Sequence, residues 1–553
     1  MDTKFDVPEI EIPDRQNKRS EEAWQRLRDH VFSALERYSN VHRGSGHFSM
    51  VTSQLFEQAR NVVLNYLNLD AKKYVVLFLT PRRAAVFRKL LTPGSYIGLA
   101  SRDIGLPLGI EALAIQRKAL PKRVAFQSGG GTARLVAPRW VIRYGIPRLF
   151  EAGTPAIINI ITLSGALQMI REYGNNVFLV PSGTEVNSHE ILFHDAMEES
   201  TGEELFDKLR MSCIGQNVEV RVPEGMRPFI NLDNAASTPA FSPVWQAACV
   251  TWQQPAHIQR EMIGKVCSLC AEFLGASPEN YDIIFTSNTT EAINLVAESL
   301  HLERHPEVET VVVNTLLEHN SNELPWREIT GVSLIRLGAD SEGFPDIEEL
   351  ERLLVSYNQE CRQGNKRIRL VAVTGASNVL GTYTNLLAIS NTVHRYGACL
   401  MVDAAQLTAH RKVEMEKWGI DFLAFSGHKM YAPFGTGVLA VRKGLLNFQP
   451  DQMAEIRKSG EENVTGIAAL GKSLLLLQRI GFDVIRKEEQ ALTRRALEGM
   501  SKIRGLRLYG IKDTDSPQFT HKGGVIPFDF RGVMSDKIAK ELNTLGGIGV
   551  RAG

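Results

Sequence analysis

Three things are scarce in this sequence. Cysteine is one: six in 553 residues, too few and too scattered for the disulfide framework of a small secreted domain. Cys267 and Cys270 alone are spaced as a CxxC, in "CSLC". No second ligand pair accompanies them, so they read as two small residues on one helical face, and no metal site is expected. Long apolar runs are the second scarcity. The nearest candidate, "AIINIITLSGALQMI" (156–170), is short for a bilayer span and carries Asn159; a buried helix is expected there, and no membrane partner. The N-terminal "MDTKFDVPEIEIPDRQNKRSEE" has no apolar core of a secretory leader, which leaves the cytoplasm as the default location. Net charge is the third. Sixty-three Lys and Arg against 62 Asp and Glu leave +1, which gives no reason to expect nucleic acid as a partner.

What is present is the composition of a globular chain, 44% hydrophobic and 23% charged, and too long for one ordinary domain. From residue 228 onward short apolar runs alternate with helical periods. "YDIIFTS", "ETVVVNT", "GVSLIRLG", "IRLVAVTGA", "ACLMVDAA" and "DFLAFSG" read as strands, with "TTEAINLVAESLHLE", "DIEELERLLVSYNQEC" and "LLAISNTVHRYG" as helices between several of them. That alternation predicts an α/β fold, a mainly parallel sheet with helices on both faces. From 466 the pattern turns long and helical and then gives short strands near "LRLYG" and "GGVIPFDF", the outline of a smaller α+β domain. The expected division is 1–227, 228–465 and 466–553.

Ligands in such sheets sit at the carboxyl ends of the strands, and residues with distinctive chemistry cluster there. Asp403 ends "LMVD" with Gln406 a turn later; Asn378 follows "VAVTGAS"; His319 follows "VVVNT" in "EHNSNELPW"; Thr289 and Thr290 join a strand to a helix; Ser426, His428 and Lys429 follow "FLAF". Each type suits one part of pyridoxal 5'-phosphate. A partly desolvated lysine has a lowered pKa and can form a Schiff base. An aspartate can keep a pyridinium nitrogen protonated. A helix N-terminus opened by Thr-Thr can hold a phosphate, and an imidazole can stack on the ring. Taken singly, each residue has a plainer reading as a cap, turn or structural histidine. Their ordered set is what carries the signal.

That set resembles the class V aminotransferases, the cysteine desulfurase branch of the fold-type I pyridoxal-phosphate enzymes. The resemblance rests on "NLDNAASTP" (231–239), "FTSNTTEAINLVAESL", "EHNSNELPW", "SNVLGT" (377–382), "VDAAQ" (402–406), "SGHKMYAPFGTGVL" and "GIGVRAG" (547–553), in the family's order. It implies a seven-stranded large-domain sheet and the following roles. Lys429 carries the cofactor and moves protons, Asp403 pairs with the ring nitrogen, Gln406 bonds the phenolic oxygen and His319 stacks. Thr289, Thr290, Ser426 and His428 surround the phosphate. Asn378, Asn234, Ala235 and Arg551 border a small amino-acid substrate. It further implies cysteine desulfurase or selenocysteine lyase chemistry with a sulfur-acceptor protein as partner. Aminotransfer, epimerisation and a cofactor-binding pseudoenzyme or assembly partner are the alternatives. The family's cysteine-bearing loop and a later substrate-gripping arginine are expected beyond residue 553.

The first 225 residues hold further family pieces: "NVHRGSGHFSMVTSQLFEQARNVVLNYL" (40–67), "YVVLFLTPRRAAVFRKLL" (74–91), "SYIGLASRDIGLPLGIEALAIQRK", "SGGGTARLV" (128–136) and "FEAGTPAIINIITLSGAL" (150–167). This portion reads as a degenerate copy without the middle of the large domain. Asp103 stands where the lysine belongs, and Arg82-Arg83 where Thr-Thr belongs. The three strands it keeps are expected to be neighbours. An internal pseudo-dimer follows, with further homo-oligomerisation left open. The first copy is expected to lend Thr154, His42, Arg43 and the glycines at 129–131 to the second copy's site, and Arg82 and Arg83 to pair with Glu461 or Glu462.

Overall fold

The structure, a computed structural model, describes residues 13–41, 44, 46–121, 127–179, 185–303 and 307–552. Runs of Val, Ile and Leu form a seven-stranded sheet. Its spatial order is Val332–Leu337, Glu309–Thr315, Lys366–Thr374, Cys399–Asp403, Phe422–Ser426, Gly437–Arg442, Tyr281–Thr286. Gly437–Arg442 runs antiparallel to both neighbours and the other pairings are parallel, the mainly parallel sheet that was expected. Alternate residues of each strand enter opposite cores. Val311, Val313, Leu400, Val402, Leu423 and Phe425 face one core, and Val312, Met401, Phe422 and Ala424 the other. Helix Thr289–Leu302 covers the second face. Helices Ser242–Thr251, Ala256–Leu274 and Val464–Ile480 cover the first.

A second sheet of three strands is ordered Tyr74–Leu79, Glu111–Gln116, Tyr96–Ala100, all antiparallel. It reproduces the Tyr281–Thr286, Gly437–Arg442, Phe422–Ser426 end of the large sheet in order and in register. Tyr74 pairs with Gln116 as Tyr281 pairs with Arg442, and Ala100 pairs with Glu111 as Ser426 pairs with Gly437. By that register Asp103 stands at the position of Lys429. The helices correspond too. Ile157–Tyr173 packs on Pro13–Leu35 and His47–Tyr66, as Val464–Ile480 packs on Ser242–Thr251 and Ala256–Leu274. The 156–170 run is therefore a buried helix, and no helix among the described residues is long and apolar enough to cross a membrane.

The two parts meet through reciprocal close approaches. Gly109 lies against Asn463, where a Cβ would come within 2.6 Å of the Asn463 Cβ; Gly435 lies against Ala156, where it would come within 2.1 Å of the Ala156 Cβ. Both glycines have positive φ, 61° and 71°. Asn159, the polar residue inside the apolar run, shares its two amide hydrogens among Leu108 O at 3.1 Å, Phe434 O at 3.0 Å and Asn463 Oδ1 at 2.8 Å.

The 466–500 stretch differs from one long helix. Gly481, at φ 84°, ends Val464–Ile480 and starts Phe482–Met500. The latter carries Glu489, which ties the C-terminal elements to the large sheet. It accepts from His410 Nδ1 at 3.0 Å, Arg411 at 2.7 Å and Gly524 N at 3.1 Å. Burial works to raise its pKa, but the His410 bond and the charges of His410 and Arg411 overcome this and hold it at about 2.

Two outcomes follow. Gly435→Ala is expected to destabilise by about 3 kcal/mol or more in denaturant titration, because the methyl meets Ala156 and the φ is left-handed. Gly444→Ala, at φ 82° with nothing within 4 Å, is expected to cost only about 1 kcal/mol of backbone strain. Glu489, depressed from 4.5 to about 2, contributes about 3 kcal/mol that is present above pH 4.5 and lost as pH falls toward 2. Thermal melts of Glu489→Gln should lose that part of the acid-side slope.

Candidate active site

Strand Phe422–Ser426 is buried throughout and delivers a short turn, Gly427–Lys429, at its carboxyl end. Asp403 closes the adjacent strand, where it pairs in register with Ala424. It is 4% exposed and accepts from Ala405 N at 3.0 Å. Burial raises its pKa, while Lys429 and the Ala405 bond oppose that. Burial lowers Lys429; Asp403 works to raise it and Arg551 lowers it further. The two groups therefore share one low-dielectric site and move toward each other in pKa, which raises the neutral fraction of the amine.

One end of the site is a helix N-terminus. Asn288 caps Thr289–Leu302, its Oδ1 accepting from Glu291 N at 3.0 Å. Thr289 N donates to Ser426 Oγ at 2.7 Å, and the two hydroxyls lie 2.6 Å apart. Thr290 Oγ1 lies 2.6 Å from Ser321 Oγ, which lies 2.9 Å from His319 Nδ1. Ser321 was not picked out from the sequence, since nothing in "EHNSNELPW" distinguishes it from a helix cap; the fold puts its hydroxyl between two predicted site residues. Glu318 is a second such residue. Burial pushes its carboxyl up to about 8 despite bonds from Thr315, Asn322 and Thr374, and Asp403 adds to the rise.

His428 is buried, with Nδ1 3.2 Å from Ser237 Oγ. Burial, then Lys429 and His319, lower its pKa to about 3, so the ring is neutral. Gln406 Nε2 donates to Ala235 O at 2.7 Å, joining those two predicted residues. Asn234 bonds locally to Asn231. Arg551 is held by Asp233 through paired bonds of 2.9 and 2.8 Å. Asn378 sits half-buried in the turn after Lys366–Thr374, and no hydrogen bond joins it to the other candidates among the described residues.

The first part of the chain reaches this place. Asn288 Nδ2 donates to Thr154 O at 3.1 Å, so Thr154 lies at the cap of the 289–302 helix. A Cβ on Gly129 would stand 2.3 Å from Thr290 Cγ2, and one on Gly130 would stand 2.7 Å from His319 Cε1. Only glycine permits that approach. His42 and Arg43 fall outside the described residues.

The corresponding end of the three-stranded sheet makes other contacts. Asp103 turns back to accept from Ala100 N at 3.1 Å. Arg82 N donates to Ser459 Oγ at 2.9 Å and its guanidinium grips Glu298 at 2.7 Å. Arg83 is buried and donates to Phe150 O at 3.2 Å and Ala152 O at 3.5 Å. The expected pairing of these arginines with Glu461 or Glu462 is thus corrected: Glu462 pairs with Arg102 at 2.5 Å. Arg83 satisfies backbone carbonyls of its own part, and Arg82 finds a carboxylate on the neighbouring helix.

These residues fit pyridoxal 5'-phosphate by the chemistry of the set: a desolvated amine, a buried carboxylate for a ring N–H, and a hydroxyl-lined helix N-terminus. The chain is similar to curated proteins over about half of its length. The chain is 33% identical over 294 residues to a probable cysteine desulfurase of Halalkalibacterium halodurans, covering 49% of this chain and 68% of that protein. It is 35% identical over 271 residues to a cysteine desulfurase of Dickeya dadantii, covering 45% of this chain and 61% of that protein. A solved cysteine desulfurase of Thermococcus onnurineus NA1 superposes with a TM-score of 0.48 at 25% identity, covering 59% of this chain and 86% of that one. The family model for aminotransferase class-V matches residues 104–179 and 230–553, and the chain belongs to that family.

Proposed function

We propose that the chain binds pyridoxal 5'-phosphate at the Lys429–Asp403 site and acts on an amino acid, with cysteine as the leading substrate. The observation that carries this is the placing of half-buried Lys429 and buried Asp403 at adjacent strand ends within each other's field, beside the N-terminus of Thr289–Leu302. When bound, the cofactor supplies an electron sink for a bond at the substrate α-carbon. The protein's own groups do the rest. Lys429 anchors the cofactor and holds a proton at Nζ. Asp403 receives the ring N–H, Gln406 faces the phenolic oxygen and His319 covers the ring. Thr289, Thr290, Ser426 and His428 receive the phosphate. Asn234, Ala235, Asn378 and Arg551 line the substrate side, with Arg551 held by Asp233.

The division into 1–227, 228–465 and 466–553 belongs to the same proposal. The first portion is a degenerate copy of the second, fused where a partner subunit would stand. It has no working site, since Asp103 and the two arginines occupy the lysine and Thr-Thr positions, but it completes the working one with Gly129–Gly131 and Thr154. His42 and Arg43 belong to that contribution.

The name cysteine desulfurase on the relatives supports desulfuration with transfer to a sulfur-acceptor protein. Aminotransfer or epimerisation through the Lys429 proton carrier is the alternative reading.

Absorbance spectra of the purified chain with a panel of amino acids test the proposal. The parent is expected to show a visible pyridoxal band at one cofactor per chain, bleached by its substrate. Lys429→Ala should lose both band and response, and a parent with no band would refute the reading. Thr154→Val is expected to weaken cofactor affinity about tenfold with an unchanged unfolding midpoint; unchanged affinity would show that the first portion does not complete the site.

A further inference from the structure

The helix that borders the site, Thr289–Leu302, carries three polar residues on one face. Glu291, Asn294 and Glu298 stand at i, i+3 and i+7, the spacing that aligns side chains along a helix. Each meets a residue of the first part of the chain. Glu291 Oε1 accepts from Thr80 Oγ1 at 3.2 Å. Glu298 is gripped at 2.7 Å by Arg82, which the strand register aligns with Thr289. Asn294, between them, is half-buried and meets Ser128, which is 2% exposed.

The Asn294 amide is fully used, and its neighbours fix its orientation. Nδ2 donates to Ser128 O at 2.8 Å and to Thr290 O at 2.7 Å. Both are carbonyls, which only accept. Oδ1 accepts from Ser128 N at 3.3 Å, a group that only donates. An amide turned over would set donor against donor and acceptor against acceptor. One side chain thus bonds both backbone groups of Ser128 and the carbonyl of Thr290, the second residue of the helix. The Ser128 hydroxyl is held separately, by Glu328.

Ser128 leads into the two glycines that touch the site. Gly129 lies against Thr290 Cγ2, and Gly130 N donates to Ser321 Oγ at 3.4 Å. A helical threonine divides between two χ1 rotamers. Glycine backbone packed on the Thr290 methyl favours the rotamer that turns Oγ1 to Ser321 Oγ, 2.6 Å away.

We infer that Asn294 is a positioning residue for this end of the site: by clamping the Ser128 backbone to the first turn of the helix, it holds Gly129 and Gly130 against Thr290 and Ser321. The consequence for cofactor binding rests on the pyridoxal-phosphate reading above, in which Thr290 receives the phosphate. The clamp itself does not. It acts at the phosphate end and touches neither Lys429 nor Asp403, so a ligand without the phosphate should not sense its loss.

The test compares pyridoxal 5'-phosphate with pyridoxal, by equilibrium dialysis on the full chain. In Asn294→Ala the affinity for pyridoxal 5'-phosphate is expected to fall about tenfold and that for pyridoxal to change by about twofold at most. Asn294→Leu, close to asparagine in size but without its donors and acceptor, should show the same split, which guards against a cavity effect. Hydrogen exchange of the cofactor-free chain reads the clamp directly. The amides of 127–132 are expected to exchange about tenfold faster in both variants. Equal losses for the two ligands would overturn the inference, since they mark a general loosening of the site. Unchanged affinity for the phosphate ester, or unchanged exchange, would overturn it too. If the parent binds neither compound, the cofactor reading fails and exchange alone decides: faster exchange in the variants keeps the clamp, and equal exchange refutes it.

Discussion

The arrangement depends on one crowded seam. Gly109 against Asn463 and Gly435 against Ala156 leave no room for a Cβ, and the Asn159 amide spans the carbonyls of Leu108 and Phe434 across it. Buried amide hydrogens need acceptors, and a carbonyl that lost them would pay a desolvation penalty. The seam therefore fixes the spacing of the two sheets to a fraction of an ångström. That spacing puts Gly129 against Thr290, Gly130 against His319 and the Thr154 carbonyl on the Asn288 cap. A shift of one side chain's width would either drive Gly129 into Thr290 or open the end of the site to water.

Electrostatics at the site follow from the same enclosure. Asp403 and Lys429 are each pushed toward neutrality by burial and pulled back by the other's charge. His428, with no carboxylate beside it, stays neutral. Opposing shifts of this kind separate a group that must hold a charge from groups that must hold or release a proton. Arg551 acts at a distance on Lys429 while its own charge is met by Asp233.

The two sheets show how one backbone plan supports opposite outcomes. Both deliver a turn at the same register position. In one, Lys429 stands in the field of Asp403; in the other, Asp103 folds back to cap its own turn. Arg82 and Arg83 satisfy themselves on a carboxylate and on backbone oxygens. The expected pairing with Glu461 and Glu462 failed for a plain reason: the buried Arg83 lies nearer the Phe150 and Ala152 carbonyls of the same portion, and Arg82 nearer Glu298.

By itself the sequence determined the strands, since their Val- and Ile-rich runs with polar ends can only be two-faced sheet interiors. It also determined the identity of the chemically able residues, because an amine, a carboxylate and paired threonines at strand ends are visible as letters. It showed Asn159 as an interruption in an apolar run without showing why. Tertiary structure alone decided the rest. Ser321, Ser128 and Asn294 are ordinary polar residues whose meaning lies in what they touch, and those contacts join positions 31 to 166 residues apart. Periodicity reports how a segment is buried. It carries no information on which distant hydroxyl completes a hydrogen bond, because that is set by the packing of whole elements against one another.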